Sequence, residues 1–255
     1  MSWLRLLLLG WALHFKMLSR SSFNSLLAIV YPGFFATVAF FLYREGSPHA
    51  LLYASLGASV MGIWGATSTA AGGALQRERR HGTLELLVAA PVNFSLVMLP
   101  VTLAMSTIGL YSMVATLAWG RIVFGISLHI AHPLVFCLAV LITILSIGMC
   151  GFLLAVAFVR YRTAWALGNL LEYPVWLICG FLVPLSLFPD WVRPISWVLA
   201  PTWGMRAIRD AATGGGSFSD VAVCAGLGAA YTVIGVLVVG RLLTSARERA
   251  TLALT

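Results

Sequence analysis

Long apolar runs, separated by short groups of charged and turn-forming residues, dominate the chain. Six runs are long enough to cross a bilayer as helices, because a hydrocarbon core about 30 Å thick takes about 20 helical residues. They cover approximately residues 23–43, 51–75, 93–119, 132–159, 164–184 and 219–242. Lipid offers backbone polar groups no partner outside the helix, and the strict alternation of a membrane β-barrel is absent. The pattern predicts an all-α polytopic membrane protein with a single transmembrane domain over residues 1–255.

Composition leads to the same fold class. Of the 255 residues, 60% are hydrophobic and 9% are charged. A soluble globular domain averages about 45–50% apolar and about 25% charged residues. A chain with so few charges cannot form a polar surface around a core of this size, so we expect lipid to surround most of it.

The distribution of basic residues predicts the orientation of the spans. With the N-terminus in the cytoplasm, eleven of the 16 lysines and arginines fall in cytoplasmic segments. Counting acidic residues as well, the net charge is +8 on the cytoplasmic side and +1 on the other side. The positive-inside rule therefore predicts that both termini lie in the cytoplasm, and we expect the membrane to be a bacterial plasma (inner) membrane. The basic excess is a topology signal and predicts no binding of nucleic acid.

The first 20 residues require a separate interpretation. The apolar run from Leu6 to Leu13 is too short to span a bilayer and is flanked by Arg5 and Lys16. A signal peptide would need a small-residue cleavage site after this run, and none follows. We therefore predict that residues 1–20 form a helix in the inner membrane interface.

Motifs that would give the chain catalytic chemistry of its own are missing. A phosphate-binding loop of the form G-x-x-x-x-G-K-[ST] requires a lysine, and the single lysine, Lys16, follows Phe15. The G-x-S-x-G elbow and the H-E-x-x-H zinc motif are absent, and the four cysteines have no metal-ligand spacing. We predict that the chain is not an enzyme and binds no cofactor itself.

The predicted cytoplasmic loop at residues 76–91 begins with a dense charge cluster and then becomes amphipathic. Thr83 can cap a short helix that ends at Pro91, with Leu84, Leu87 and Val88 facing the membrane. A basic stop-transfer loop, which any inner-membrane protein needs, is the alternative interpretation.

This loop resembles the cytoplasmic signature of ABC-2 type transporter permeases. The residues that carry the resemblance are Arg77, Glu78, Arg79, Gly82, Thr83, Leu84, Glu85, Leu87 and Pro91. A second similarity is the Pro- and Trp-marked stretch at residues 184–201, for which an ordinary interfacial loop with an aromatic belt is the alternative.

The resemblance implies a function for each of these segments. The loop would be a coupling helix that contacts a partner ATPase through Arg77, Glu78, Arg79, Arg80, Gly82, Thr83 and Glu85. Residues 185–218 would form a re-entrant helical hairpin on the extracytoplasmic side. Two ATPase subunits would carry ATP and Mg²⁺, and a second permease, identical or paralogous, would complete the path. The complex would export an amphipathic or hydrophobic compound such as a drug, an antibiotic, a lipid or a peptide.

Polar residues inside the predicted spans are candidates for the translocation path. Glu172 is the one carboxylate well inside a span, where an acid is expected to face protein or water. The candidate residues are Thr67, Ser68, Asn169, Glu172 and Tyr173. For Glu172 the alternative is a buried structural hydrogen bond.

The second span also carries a stripe of small residues, which permits close helix packing, within the subunit or against the path and a second permease. Its members are Ala54, Ala58, Gly62, Ala66, Ala70 and Ala74.

Two functions from other classes compete with transport. An intramembrane enzyme would need paired catalytic groups at one depth, whereas the spans offer Glu172 alone. A non-catalytic membrane scaffold or a channel would need no ATPase, so association with such a partner separates transport from both alternatives.

Overall fold

The computed structural model is helical throughout the secondary structure that it describes. The described residues are 3–20, 26, 30, 33–34, 36–38, 40–41, 48–80, 82, 94–126, 130–158, 164–215 and 218–249. Eight α-helices have defined bounds in these ranges: α1 Trp3–Ser19, α2 Pro48–Arg80, α3 Ser95–Phe124, α4 Pro133–Phe158, α5 Ala164–Ile178, α6 Val192–Trp197, α7 Ala200–Thr213 and α8 Phe218–Arg249. A 3₁₀ turn at Leu185–Leu187 precedes α6.

Four predicted spans each correspond to one long helix and begin within three residues of its start. These are the spans at 51–75 (α2), 93–119 (α3), 132–159 (α4) and 219–242 (α8). The span at 164–184 begins with α5 but ends early, because Gly180 has a φ of +70° and the chain turns there. Most of the span at 23–43 lies outside the described residues.

Three of the described helices are long and apolar enough to cross a membrane: Ser95–Phe124, Pro133–Phe158 and Phe218–Arg241. Their outer faces carry large aliphatic side chains, among them Leu134 and Leu141 on α4 and Val233 and Leu237 on α8. In water such faces would be unstable, whereas in a bilayer they contact lipid chains of similar polarity. The prediction of a helical membrane protein is confirmed at this level, while the count of six spans stays a prediction.

Helix α2 lies at the centre of the fold and contacts α3, α4, α5 and α7. From Leu52 to Ser68, all of its residues except Tyr53 and Ala66 are buried. Ala54 and Ala58, the first members of the small-residue stripe, pack against Ala36 and Phe40 of the same chain. This part of the stripe therefore serves packing within the subunit.

Close approach between helices depends on glycines that face a neighbouring backbone or side chain. A Cβ at position 109 would lie 2.6 Å from the Cα of Ile63, so α2 and α3 are nearly in backbone contact there. Likewise, a Cβ at position 151 on α4 would lie 2.4 Å from Cγ2 of Thr67. Small residues of this kind are the usual means by which membrane helices pack, since lipid provides no hydrophobic force between them.

Helix α1 packs along α3. The indole N–H of Trp11 donates to Oγ1 of Thr107 at 3.1 Å, and Leu18 is buried against Ala104 and Ile108. The opposite side of α1 exposes large apolar side chains, for example Leu9 and Leu13. Residues 3–19 are thus helical as predicted, and their position in the inner interface stays a prediction.

The segment predicted to re-enter the membrane, residues 185–218, contains the 3₁₀ turn, α6 and α7. Helix α7 buries one face against α4 and α8. Tyr231 of α8 fixes its start, because the Tyr231 hydroxyl accepts from the backbone N–H of Ala200 at 3.0 Å and donates to the Val198 carbonyl. The helical content of the segment agrees with the prediction, and the re-entrant hairpin itself stays a prediction.

Substitution of Gly109 tests the close approach of α2 and α3. We expect Gly109→Ala to destabilise the protein by about 1–3 kcal/mol, because the new methyl group meets the Ile63 backbone. The matched control is Gly226→Ala on α8, where a Cβ meets nothing within 4 Å. Thermal unfolding in detergent measures both, and the control should unfold at the parental temperature or slightly above it. Equal unfolding temperatures for the two variants would contradict the close approach of α2 and α3 at Gly109.

Candidate functional site

The first of the predicted ATPase-coupling residues lie on α2, the same helix whose earlier part is buried in the bundle. Residues 77–80 form the last turn of this helix, so the charge cluster continues α2 without a break. Gly82 comes next and is exposed, with a φ of +66°, a conformation that residues other than glycine adopt with strain. Thr83 and Glu85 lie outside the described residues.

Two of the three candidate path residues on α5, Asn169 and Glu172, contact α2, and the two helices are antiparallel there. Oγ1 of Thr69 donates to the side-chain oxygen of Asn169 at 3.3 Å. One turn further along α5, the Glu172 carboxylate lies against the backbone of Gly65, where a Cβ would be 2.6 Å from Oε1. The structure thus brings Asn169 and Glu172 together on the contact between α2 and α5.

Glu172 lies on the buried face of α5, with 5% of its surface exposed. The residues that the structure describes form two ion pairs, Arg193–Asp190 and Arg206–Asp220, and Glu172 belongs to neither. The carboxyl group therefore packs against α2 at Gly65, and among the described residues no arginine or lysine forms an ion pair with it. This placement favours a structural role for Glu172 in the contact between α2 and α5 of one subunit.

Tyr173 lies on the opposite, exposed face of α5. Half of its surface is accessible, and its ring forms an edge-to-face contact with Trp176 at 5.0 Å between centroids. Leu170 and Leu177 are exposed at one-turn intervals on the same face. These three residues define what we term the outer face of α5.

The two candidates on α2 point into the bundle. Thr67 and Ser68 are fully buried, and their hydroxyl groups donate to backbone carbonyls of their own helix, those of Ile63 and Gly65. Thr67 also contacts α4 at Gly151, as the close approach described above requires. Within one subunit, both hydroxyl groups are therefore satisfied by their own helix, and both side chains are buried in the bundle.

A second polar site, which the sequence analysis did not single out, lies where α5 ends. The guanidinium of Arg209 on α7 donates to the backbone carbonyl of Gly180 at 2.8 Å and to that of Phe181. The same group lies over the Tyr53 ring of α2, 3.2 Å from its centroid. The Tyr53 hydroxyl donates to the Gly180 carbonyl at 3.1 Å. We term these four residues the Arg209 clamp.

Local backbone geometry exposes the carbonyls that the clamp holds. The N–H of Phe181 bonds to the Trp176 carbonyl and that of Gly180 to the Leu177 carbonyl, which is the Schellman pattern of helix termination. Gly57 of α2 leaves space for the Phe181 carbonyl, since a Cβ there would overlap this oxygen. Sequence alone could have indicated the Schellman glycine at 180, but the pairing of Arg209 with it depends on the tertiary fold.

Within the described part of the chain, no group of three or more His, Cys, Asp and Glu residues is placed to hold a metal ion. Two polar contacts near the candidate residues join different helices: the Thr69–Asn169 bond and the Arg209 clamp. Such an arrangement can transmit movement between helices.

The chain matches the model of a known protein family. The family described as ABC-2 type transporter matches residues 5–212, which is most of the chain. The matched region runs from α1 into α7 and so includes α2, the outer face of α5 and the Arg209 clamp. No curated protein matches the chain.

Charge removal at Glu172 tests its placement without a cation. We expect Glu172→Gln to unfold at the same temperature as the parent or above it, because the amide keeps the shape and removes a charge that is costly at this depth. The matched control is Asp220→Asn. Asp220 is equally buried but pairs with Arg206 at 3.4 Å, so its variant should lose about 1 kcal/mol or more. A Glu172→Gln variant as unstable as the control would show that the carboxylate has a charged partner.

Proposed function

The chain belongs to the ABC-2 type transporter family and is a permease subunit of an ABC transporter, and from this premise we propose that it exports an amphipathic or hydrophobic compound. Drugs, antibiotics, lipids and peptides are the chemical classes that fit. Two permeases, identical or paralogous, enclose the path, and two ATPase subunits bind from the cytoplasm with ATP and Mg²⁺.

The observation that carries this proposal is the continuity of α2. One helix runs from Pro48 through the centre of the bundle to the charge cluster that ends at Arg80. At about 1.5 Å per residue, its 33 residues extend about 50 Å. A force applied by an ATPase at the cytoplasmic end therefore acts on a helix that contacts α3, α4, α5 and α7.

Transport by such a complex is a shift between two populations. ATP binds better to the state in which the ATPase subunits are closed, and the coupling residues transfer this preference to the permeases. The residues proposed for this contact are Arg77, Glu78, Arg79, Arg80, Gly82, Thr83 and Glu85. The two permeases therefore have one arrangement before ATP binds and another after it.

The outer face of α5 is the part of the subunit proposed to line the path. The exposed faces of α4 and α8 carry leucine, valine and isoleucine side chains, which suit lipid. The outer face of α5 combines Leu170 and Leu177 with the Tyr173 hydroxyl group, and Pro174 follows Tyr173. A phenol group and a proline near the middle of a span favour contact with protein or with a cavity. Asn169 lies at the margin of this face.

Association with an ATPase tests the proposal directly. We expect the chain, solubilised in mild detergent from its native membrane, to co-purify with a soluble ATPase whose activity is measurable in the eluate. Gly82→Trp and Glu85→Arg should reduce the recovered ATPase about tenfold or more, because such changes commonly remove a central contact worth 2 kcal/mol or more. The matched control is Asp190→Arg, the same charge reversal at an exposed acid on the predicted outer side.

Purification of the chain without any ATPase, under several mild detergents, would contradict the proposal and favour the membrane scaffold or channel. Loss of the ATPase with Asp190→Arg as well would contradict the position of the coupling residues.

Cross-linking tests the proposed role of the outer face of α5. In a background of Cys137→Ser, which removes the exposed native thiol, we expect Tyr173→Cys to form an intermolecular disulfide in membranes on mild oxidation. The control Leu141→Cys lies on the aliphatic face of α4 and should remain monomeric on gels. Dimers formed equally by both variants, or by neither, would contradict a path between two copies at α5. A paralogous partner is tested by the same variant paired with its counterpart.

A further inference from the structure

The Arg209 clamp joins three segments that are distant in the sequence. Tyr53 lies in the first turns of α2, Gly180 and Phe181 follow α5, and Arg209 lies near the end of α7. The guanidinium forms hydrogen bonds to three backbone carbonyls, those of Gly180, Phe181 and Tyr53, the last at 3.4 Å. Its planar fork matches such a set of acceptors, which a lysine ammonium group would not reproduce.

The same helix that enters the clamp also carries the predicted ATPase contact. Between Tyr53 and Arg80, α2 is continuous and extends about 40 Å at 1.5 Å per residue. The buried residues from Leu52 to Ser68 leave little space for bending, because close-packed cores rearrange between discrete states rather than deforming gradually. A displacement of the cytoplasmic end of α2 therefore reaches Tyr53.

We infer that Arg209 is a positioning residue for transport, through which movement of α2 is passed to α7 and to the end of α5. This inference rests on the proposed function, since it assigns a route to the ATP-driven movement. Arg209 acts by holding Tyr53, Gly180 and Phe181 in one unit. Without the clamp, α2 would move while the extracytoplasmic segment stays in place.

The test measures movement of the extracytoplasmic segment and ATP hydrolysis separately. A bimane fluorophore on Ile195→Cys, in the Cys137→Ser background, reports on α6, where this side chain is exposed. The complex is purified with its ATPase, and the fluorescence change on adding ATP with vanadate is recorded beside the basal hydrolysis rate. The variants are Arg209→Lys and Tyr53→Phe, of which the second removes one hydroxyl group and keeps the ring.

We expect Arg209→Lys to keep the basal hydrolysis rate and to reduce the fluorescence change about fivefold or more, the range of typical coupling between sites. Tyr53→Phe should have a smaller effect of the same kind. The matched control is Arg193→Lys on α6, whose exposed partner is Asp190, and it should give the parental signal. A full fluorescence change in both clamp variants, with the ATPase bound, would overturn the inference.

A second measurement keeps the inference testable in the absence of an ATPase. Cys179 is buried beside Gly180, so loss of the clamp should raise its labelling by N-ethylmaleimide. Mass spectrometry quantifies the labelling of Cys179 relative to that of the same thiol in the parental protein under the same conditions. We expect the labelling of Cys179 to rise about tenfold with Arg209→Lys. A tenfold rise corresponds to a decrease of about 1.4 kcal/mol in the free energy of local opening.

The two outcomes separate the two proposals. Unchanged Cys179 labelling in Arg209→Lys contradicts the clamp, whatever the ATPase does. Parental protein that brings down no ATPase contradicts the proposed function, while increased Cys179 labelling would still establish Arg209 as the residue that holds the end of α5.

Discussion

The dense packing around α2 is the constraint on which the rest of the structure depends. A helix buried on nearly all sides can contact α3, α4, α5 and α7 only if small residues allow the backbones to approach. Gly57, Gly65 and Gly109, on α2 or facing it, meet this need at Phe181, Glu172 and Ile63. Each contact fixes the register between two helices, since a shift by one residue would place a larger side chain against a backbone. The position of the polar groups follows from this register.

Much of the fold could be predicted from the sequence because a membrane-spanning helix has to meet only a few requirements. A span must be apolar and long enough, and its backbone must bond within the helix, so runs of apolar residues indicate α2, α3, α4 and α8 with small errors at the ends. The predicted span at 164–184 extends six residues beyond the end of α5 at Ile178. Phe181, Leu182 and Val183 continue the apolar pattern after Gly180, and only the left-handed glycine ends the helix.

The candidate site was less accessible to sequence reasoning, for a geometric reason. Asn169, Glu172 and Tyr173 are close along α5, and helical spacing places the first two near α2, yet Tyr173 faces outwards. Which face of a span meets protein depends on its neighbours, and these are set by packing rather than by local pattern. Arg209 illustrates the same limit, because its partners lie 28, 29 and 156 residues away in the sequence.

The contacts between α2 and α5 differ along their length, and this difference suggests where the two helices move. At the end of α2 that carries Tyr53, the Arg209 clamp joins α2, α7 and the turn after α5 through several hydrogen bonds. Further along α2 towards Arg80, the contacts include the Thr69–Asn169 bond and the packing of Glu172 on Gly65. Single side-chain bonds of this kind contribute about 1 kcal/mol and are readily exchanged. Because the stronger attachment lies at one end, we expect α5 to pivot on α2 about the clamp, so that the larger displacement occurs near Asn169, on the side where the ATPase is proposed to act.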